Sequence, residues 1–177
     1  MSTEVTVGAR ISRTFAACKE ANRAALMPFL TGGYPDLATS AALLDAFAAG
    51  GADLVEIGVP FSDPLADGAT VQATSQKALD NGVTLGDCID LVRQFRARGG
   101  TMPILLMGYT NPFFQYGLER LAADAAEAGV DGFLIPDLPS DESGEFQTPF
   151  EARGLALIQF LAPTSTPRRI RDVAARA

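Results

Sequence analysis

Five short apolar runs, none of which alternates with polar residues, restrict the fold of this chain more than any other feature. A strand that is covered on both faces reads as a continuous apolar run, and such strands are typical of parallel sheets. The runs therefore predict five parallel strands. They cover residues 25–30, 54–57, 104–107, 133–135 and 155–161.

Helical patterns with recognisable ends separate these runs. Asp36 and Thr84 are residue types that cap helix N-termini, and their helices are expected to reach Gly50 and Gly99. One further helix is expected after Gly117, ending at Gly129. Another is expected after Ser140, ending at Gly154, and a last one starts at Thr166 and Pro167.

A helix over residues 9–25 is predicted before the first strand, with Ile11, Phe15 and Cys18 on one face. Pro149 lies inside the helix that follows Ser140, and it is expected to shorten or kink that helix because proline lacks a backbone N–H.

Two α/β architectures accommodate five βα units. A five-stranded doubly wound sheet would be complete in 177 residues. A (β/α)8 barrel requires about 250 residues, so this length would supply only part of it. The helical pattern of residues 167–177 has no glycine cap or exit loop, which favours a partial barrel. Periodicity alone does not choose between the two.

Composition narrows the classes of function. The formal net charge of −7 disfavours nucleic acid as a partner, because such binding depends on Lys and Arg. The chain contains no histidine, which excludes Ser-His-Asp and Cys-His nucleophilic sites and histidine-ligated metals, and we expect no metal site. Cys18 and Cys88 are expected to be buried free thiols. Because neither a signal peptide nor a membrane-length apolar run is present, a cytoplasmic protein is expected.

Polar and aromatic residues follow the predicted strands, at the end where parallel sheets bind ligands. One edge of the sheet is therefore expected to collect acids, a tyrosine and an asparagine. No lysine follows a strand, and Lys19 and Lys77 lie in helical patterns, which disfavours a Schiff-base mechanism. The residues that follow the strands include Thr31, Asp63, Asp67, Tyr109, Asn111 and Asp137.

Glu56 stands inside the second apolar run, where an ionised carboxylate is costly to bury unless it is paired or protonated. The following loop carries Asp63 and Asp67 and is stiffened by Pro60 and Pro64. A carboxyl in an apolar site beside a second carboxyl in a polar loop suits acid–base chemistry. Taken singly, each of these acids is also explained by strand or turn structure alone.

Four stretches resemble the tryptophan synthase alpha subunit family. They are PFLTGGYP at 28–35, VEIGVPFSDPLADG at 55–68, MGYTNP at 107–112 and IPDLP at 135–139. The resemblance runs in order from about residue 26 to the end of the sequence. It implies a (β/α)8 TIM barrel, truncated here after about five βα units. Residues 1–177 would form a single domain, with the N-terminal helix in 1–24 and the βα units in 25–177.

The resemblance also implies a reaction, the retro-aldol cleavage of indole-3-glycerol phosphate to indole and glyceraldehyde 3-phosphate. Glu56 matches the acid–base residue of the family, and Asp67 matches the carboxylate beside the indole N–H. The residues implied to bind substrate are Phe29, Thr31, Met107, Tyr109 and Asp137. No cofactor is expected in this chain.

The family's partner is the beta subunit, which carries pyridoxal phosphate, and the expected assembly is an alpha2beta2 tetramer. The loop around Asp63 and Pro64 is implied to face this partner, as is a loop containing Asn111 and Phe114. The units that supply the substrate-phosphate site in the family are expected beyond this sequence. The alternative function is therefore a non-catalytic truncated barrel that only binds a beta-type partner.

Overall fold

All five strands are parallel, and each pairs with the next strand along the chain. The computed structural model of the protein describes residues 6–176, so positions 1–5 and 177 of the predicted domain lie outside the described residues. The strand order never reverses, as it would in a doubly wound sheet, and it is the order of a (β/α)8 barrel. The strands are β1 (Phe29–Thr31), β2 (Val55–Gly58), β3 (Ile104–Met107), β4 (Gly132–Leu134) and β5 (Ala156–Ile158).

Polar side chains begin three helices at the predicted positions. Asp36 accepts a hydrogen bond from the backbone N–H of Thr39, Thr84 forms a reciprocal capping box with Asp87, and Thr166 caps the last helix. Within residues 6–176 the helices are α1 (Ala9–Glu20), α2 (Leu37–Ala49), α3 (Ala69–Asp80), α4 (Leu85–Ala97), α5 (Thr110–Tyr116), α6 (Leu118–Ala128), α7 (Gly144–Glu151) and α8 (Pro167–Ala174).

Several predicted boundaries were wrong. The β1 and β5 strands have three residues each, fewer than their apolar runs; β1 lies at the end of its run and includes Thr31, and β5 lies near the start of its run. Helix α1 ends at Glu20 and not near Ala25, and Phe15 is 47% exposed, so it does not share the buried face of Ile11 and Cys18. Helix α7 contains Pro149 and ends at Glu151, before the predicted Gly154.

The bounds of two helices were not predicted, although Lys77, which lies in the first of them, was assigned to a helical pattern. Helix α3 has only two buried residues, Ser75 and Ala78, so its sequence lacks an apolar stripe. Helix α5 is seven residues long and was interpreted as a loop because Asn111 and Pro112 suit turns. Proline is tolerated in the first turn of a helix, where its missing N–H is not needed.

The period of two in each strand divides the sheet into two sides. Val55 and Ile57 of β2 pack outward in the larger core, beneath the helices. Leu54 points to the opposite, inner side, where it packs with Leu105 and Leu134. Ile11 of α1 joins this inner cluster, so α1 covers the sheet where the strands begin.

Asp131, at the start of β4, is held by two arginines. Its carboxylate accepts hydrogen bonds from Arg10 Nε at 2.5 Å, from Arg96 Nη2 at 2.9 Å and from the backbone N–H of Ile104 at 2.8 Å. Both arginines also donate to the carbonyl of Gly129. Asp131 is 5% exposed, so one buried carboxylate connects α1, α4 and the starts of β3 and β4.

We expect Asp131→Asn to lower the free energy of unfolding by about 3 kcal/mol, because it leaves the partly buried guanidinium groups without their counter-charge. Urea unfolding followed by circular dichroism measures this. The control is Asp45→Asn, which removes a surface ion pair with Arg98 and is expected to change stability little. Equal effects of the two substitutions would contradict the structural role given to Asp131.

Candidate active site

A cleft lies where β1, β2 and β3 end, and we name it the Asp67 cleft. Five residues predicted from sequence meet in it, which places an acid, hydroxyl groups, an aromatic ring and a thioether around one space. The cleft is narrow, with a volume of about 10 Å³, but the chemistry of its lining matches a flat, partly apolar ligand with one polar edge. Its lining residues are Phe29, Thr31, Gly58, Val59, Asp67, Val71, Ser75, Met107, Gly108 and Tyr109.

Glu56 lies on the inner side of the sheet, beside Phe29 of β1 and Leu105 of β3 in the strand register. Gly58, two residues later on the same face, lines the Asp67 cleft. Glu56 therefore lies next to that lining, two residues closer to the start of β2. The half-buried carboxyl forms no side-chain hydrogen bond or ion pair with residues 6–176, and burial raises the pKa of Glu56 above its ordinary value. A carboxyl whose pKa is raised in this way is better suited to donate a proton than an exposed carboxyl is.

Asp67 sits on the long loop between β2 and α3, and Tyr109 at the end of β3 contacts it. The Tyr109 hydroxyl donates to Asp67 Oδ2 at 3.0 Å and accepts from the backbone N–H of Ala66 at 2.9 Å. Burial, reinforced by the neighbouring Asp67 carboxylate, raises the pKa of Tyr109. The tyrosine therefore stays protonated and serves as a donor.

Helix α3 holds the first part of this loop. Ser75 Oγ accepts from the backbone N–H of Phe61 at 2.9 Å and donates to the carbonyl of the same residue at 3.2 Å. Thr74 exchanges a 2.7 Å hydrogen bond with Thr31 of β1. The sequence analysis missed Ser75 because it gave no bounds for α3.

Gly58 is a second residue of the cleft that the sequence analysis did not single out. A Cβ atom at this position would lie 2.5 Å from Cζ of Phe29, which is closer than real side chains approach. The bare glycine therefore lets the Phe29 ring lie across the end of β2, where it forms one wall of the Asp67 cleft. The signal in the sequence was a glycine at the end of an apolar run.

Asp137 lies apart from the other predicted substrate-binding residues. Its carboxylate accepts from the backbone N–H of Thr110 at 3.0 Å and from Thr110 Oγ1 at 2.8 Å, and so caps the start of α5. It lines a different cleft, together with Phe114, Leu138 and Phe146. The structure does not bring Asp137 into the Asp67 cleft.

The residues predicted to face a partner lie on the outer surface near this end of the sheet. Asp63 is exposed and Pro64 half-buried, while the adjacent Leu65 is 88% exposed and was not singled out from sequence. Asn111 and Phe114 are exposed as well, but they belong to helix α5 and not to a loop.

Residues 6–176 offer neither a cluster of metal ligands nor a membrane-spanning helix. In that range the Cys, Asp and Glu side chains form no group of three or more that could hold a metal ion. Over the same range, the structure contains no helix of the length and apolar character that crossing a membrane requires. Cys18 and Cys88 are buried and free, as predicted.

Comparisons with known proteins agree on one family. The model described as tryptophan synthase alpha chain matches residues 15–177. The chain is similar to the tryptophan synthase alpha chains of Roseiflexus sp. (55% identity over 168 residues, 95% of this chain and 64% of the relative) and Chloroflexus aggregans (52% over 168 residues, 95% and 63%). It also resembles the crystal structure of the alpha chain from Legionella pneumophila, with a TM-score of 0.90 and 34% identity over 95% of this chain and 63% of that one. The chain thus spans slightly less than two thirds of these relatives' length.

The environment of Glu56 predicts a pH-dependent stability difference. In the folded state the pKa of Glu56 lies above its ordinary value of 4.5. At a pH between the ordinary and the raised pKa, the folded protein therefore binds more protons than the unfolded chain. The free energy of unfolding therefore falls as pH rises through this window. Since glutamine cannot ionise, we expect Glu56→Gln to gain stability relative to the unsubstituted protein between about pH 4 and pH 7.

Urea unfolding at both ends of that pH range measures the effect. The control is Glu119→Gln, at an exposed position on α6, and its difference from the unsubstituted protein is expected to be the same at both pH values. A Glu56→Gln difference that stays constant with pH would contradict the burial effect.

Proposed function

The chain belongs to the tryptophan synthase alpha chain family, and we propose that the complete protein cleaves indole-3-glycerol phosphate into indole and glyceraldehyde 3-phosphate. The observation that carries the proposal is the placement of two acids of different environment near the ends of the same strands: Asp67 lines the Asp67 cleft, and Glu56 lies on the inner face of β2 below Gly58, outside the lining of that cleft. Glu56 is half-buried and unpaired within residues 6–176, whereas Asp67 is held by a tyrosine hydroxyl. Phe29 and Met107 supply apolar walls for an indole ring.

Glu56 supplies the proton in this proposal. Transfer of a proton to indole C3 gives an indoleninium cation, and the bond from C3 to the glycerol carbon then breaks, its electron pair returning to the ring. The hydroxyl on that carbon loses a proton as the aldehyde forms. One proton enters and one leaves, so a single carboxyl that alternates between acid and base can serve both transfers.

Asp67 stabilises the cation formed in the first step. Positive charge develops at the ring nitrogen, and a fixed carboxylate near its N–H is worth more in the transition state than in the substrate complex. The hydrogen bond from Tyr109 leaves the other carboxylate oxygen of Asp67 for this contact. The chemistry needs no metal or organic cofactor in this chain.

The proposed partner is a tryptophan synthase beta subunit that carries pyridoxal phosphate, in an alpha2beta2 assembly in the cytoplasm. Support comes from the exposed loop of Asp63, Pro64 and Leu65 and from the exposed Asn111 and Phe114 of α5. Apolar tips surrounded by polar groups are typical of protein interfaces. This surface adjoins the Asp67 cleft through the loop that carries Asp67 itself.

We expect Glu56→Gln and Asp67→Asn in the complete protein to reduce indole release roughly 100- to 10,000-fold, with the larger loss for Glu56→Gln, because each removes a charge or proton that the reaction needs. The matched control is Asp80→Asn, at the exposed end of α3, which should retain full activity. Near-normal turnover by Glu56→Gln would remove this residue from the mechanism and would favour a chain that only binds a partner.

The partner surface is tested by the double variant Pro64→Gly, Asn111→Ala. We expect its affinity for the beta subunit to fall roughly tenfold or more, because the loop loses its stiffness and α5 loses a polar contact. Isothermal titration measures this, with Glu119→Ala on the exposed face of α6 as the control. Unchanged affinity and unchanged mutual activation would place the docking surface elsewhere.

A further inference from the structure

The hydroxyl of Tyr109 makes two contacts with the loop between β2 and α3, and the proposed chemistry does not by itself require either of them. One oxygen atom contacts two successive residues of the loop between β2 and α3: it accepts from the backbone N–H of Ala66 and donates to the carboxylate of Asp67. Tyr109 is 3% exposed, whereas the neighbouring Leu65 is 88% exposed. A buried group on a strand end therefore holds a solvent-exposed loop at the residue that carries its carboxylate.

The single proton of the Tyr109 hydroxyl is used in one hydrogen bond. A tyrosine hydroxyl has one proton to donate, and here that proton goes to Asp67 Oδ2. Within residues 6–176 no other group donates to the Asp67 carboxylate, so Oδ1 is left for a ligand. Because the backbone of Ala66 and the side chain of Asp67 are held by the same atom, the direction of Oδ1 depends on the position of that atom.

Tyr109 is itself fixed from both sides. Its ring packs against Phe61, in the first part of the loop where Ser75 of α3 holds the backbone, with centroids 5.4 Å apart and planes tilted by 34°. The next residue, Thr110, donates two hydrogen bonds to Asp137 through its backbone N–H and its hydroxyl. The hydroxyl thus belongs to a rigid corner between β3 and α5 and not to the loop that it holds.

We propose that Tyr109 is a positioning residue, which acts through its hydrogen bond to aim the free oxygen of Asp67 at the N–H group of an indole-type ligand. The identity of the ligand in this proposal rests on the proposed function. It assigns Tyr109 a role beyond the apolar lining that the family resemblance implies.

The test uses Tyr109→Phe in the complete protein, because phenylalanine keeps the buried ring and removes only the hydroxyl. We expect kcat for indole release to fall about 10- to 100-fold with a smaller change in KM, since the misdirected carboxylate matters most when charge develops at the ring nitrogen. In an Asp67→Asn background the same substitution is expected to have little further effect, because the two residues act as one unit.

A matched control removes a similar hydrogen bond elsewhere. Tyr116 of α5 donates to Asp124 at 2.6 Å, and Tyr116→Phe is expected to leave kcat unchanged. Effects of Tyr109→Phe and Asp67→Asn that multiply independently would overturn the proposal, as would normal turnover by Tyr109→Phe.

A binding measurement separates this inference from the proposed reaction. The complete protein is expected to bind indole about tenfold more tightly than 1-methylindole, which has no N–H, and Tyr109→Phe is expected to reduce that preference. If indole-3-glycerol phosphate is not cleaved but the preference depends on Tyr109, the reaction is wrong and the positioning role stands. If the preference is absent, or is unchanged in Tyr109→Phe, the positioning role is wrong.

Discussion

The two-residue period of a parallel strand is the constraint on which the site depends. In β2 it sends Val55 and Ile57 into the core beneath the helices, and it leaves Glu56 on the inner side with Leu54. A shift of one residue would place the carboxylate in the helix-covered core, where no charge partner is available from the residues packed there. The strand register therefore decides both that the fold is stable and that an acid faces the inside of the barrel.

The two acids of the site are held by different means, and this difference suits their different tasks. Glu56 is on a strand, so its position is set by backbone pairing with β1 and β3. Asp67 is on a loop, and its position is set by side chains from elements that flank the loop, Tyr109 at one end and Ser75 at the other. Glu56 is therefore partly buried because it lies on a strand, whereas Asp67 is accessible to solvent and ligand because it lies on a loop.

The parts of the fold that were predictable from sequence have local causes. Apolar runs and the caps at Asp36 and Thr84 act within a few residues, so the five strands and most helices could be inferred. The barrel order of the strands was implied by the family resemblance and not by the apolar runs. The bounds of helix α3 were not predicted, because the helix is held by hydroxyl contacts such as that of Ser75 and not by an apolar face. The pairing of Tyr109 with Asp67 spans 42 residues, and the capping of α5 by Asp137 spans 27. Contacts over such separations leave no periodic trace in a single sequence.

The ion pair between Arg10 and Asp131 has a consequence for how the chain folds during synthesis. The two residues are 121 positions apart, so helix α1 leaves the ribosome long before its partner exists. At about 5–20 residues per second, the delay is roughly 6 to 24 seconds. During this time only Leu54 and Leu105 of the inner cluster that contains Ile11 have been made, and Leu134 is still missing. The ion pair that fixes helix α1 to the start of β4 therefore forms only after three strands and six helices of the described chain have been synthesised.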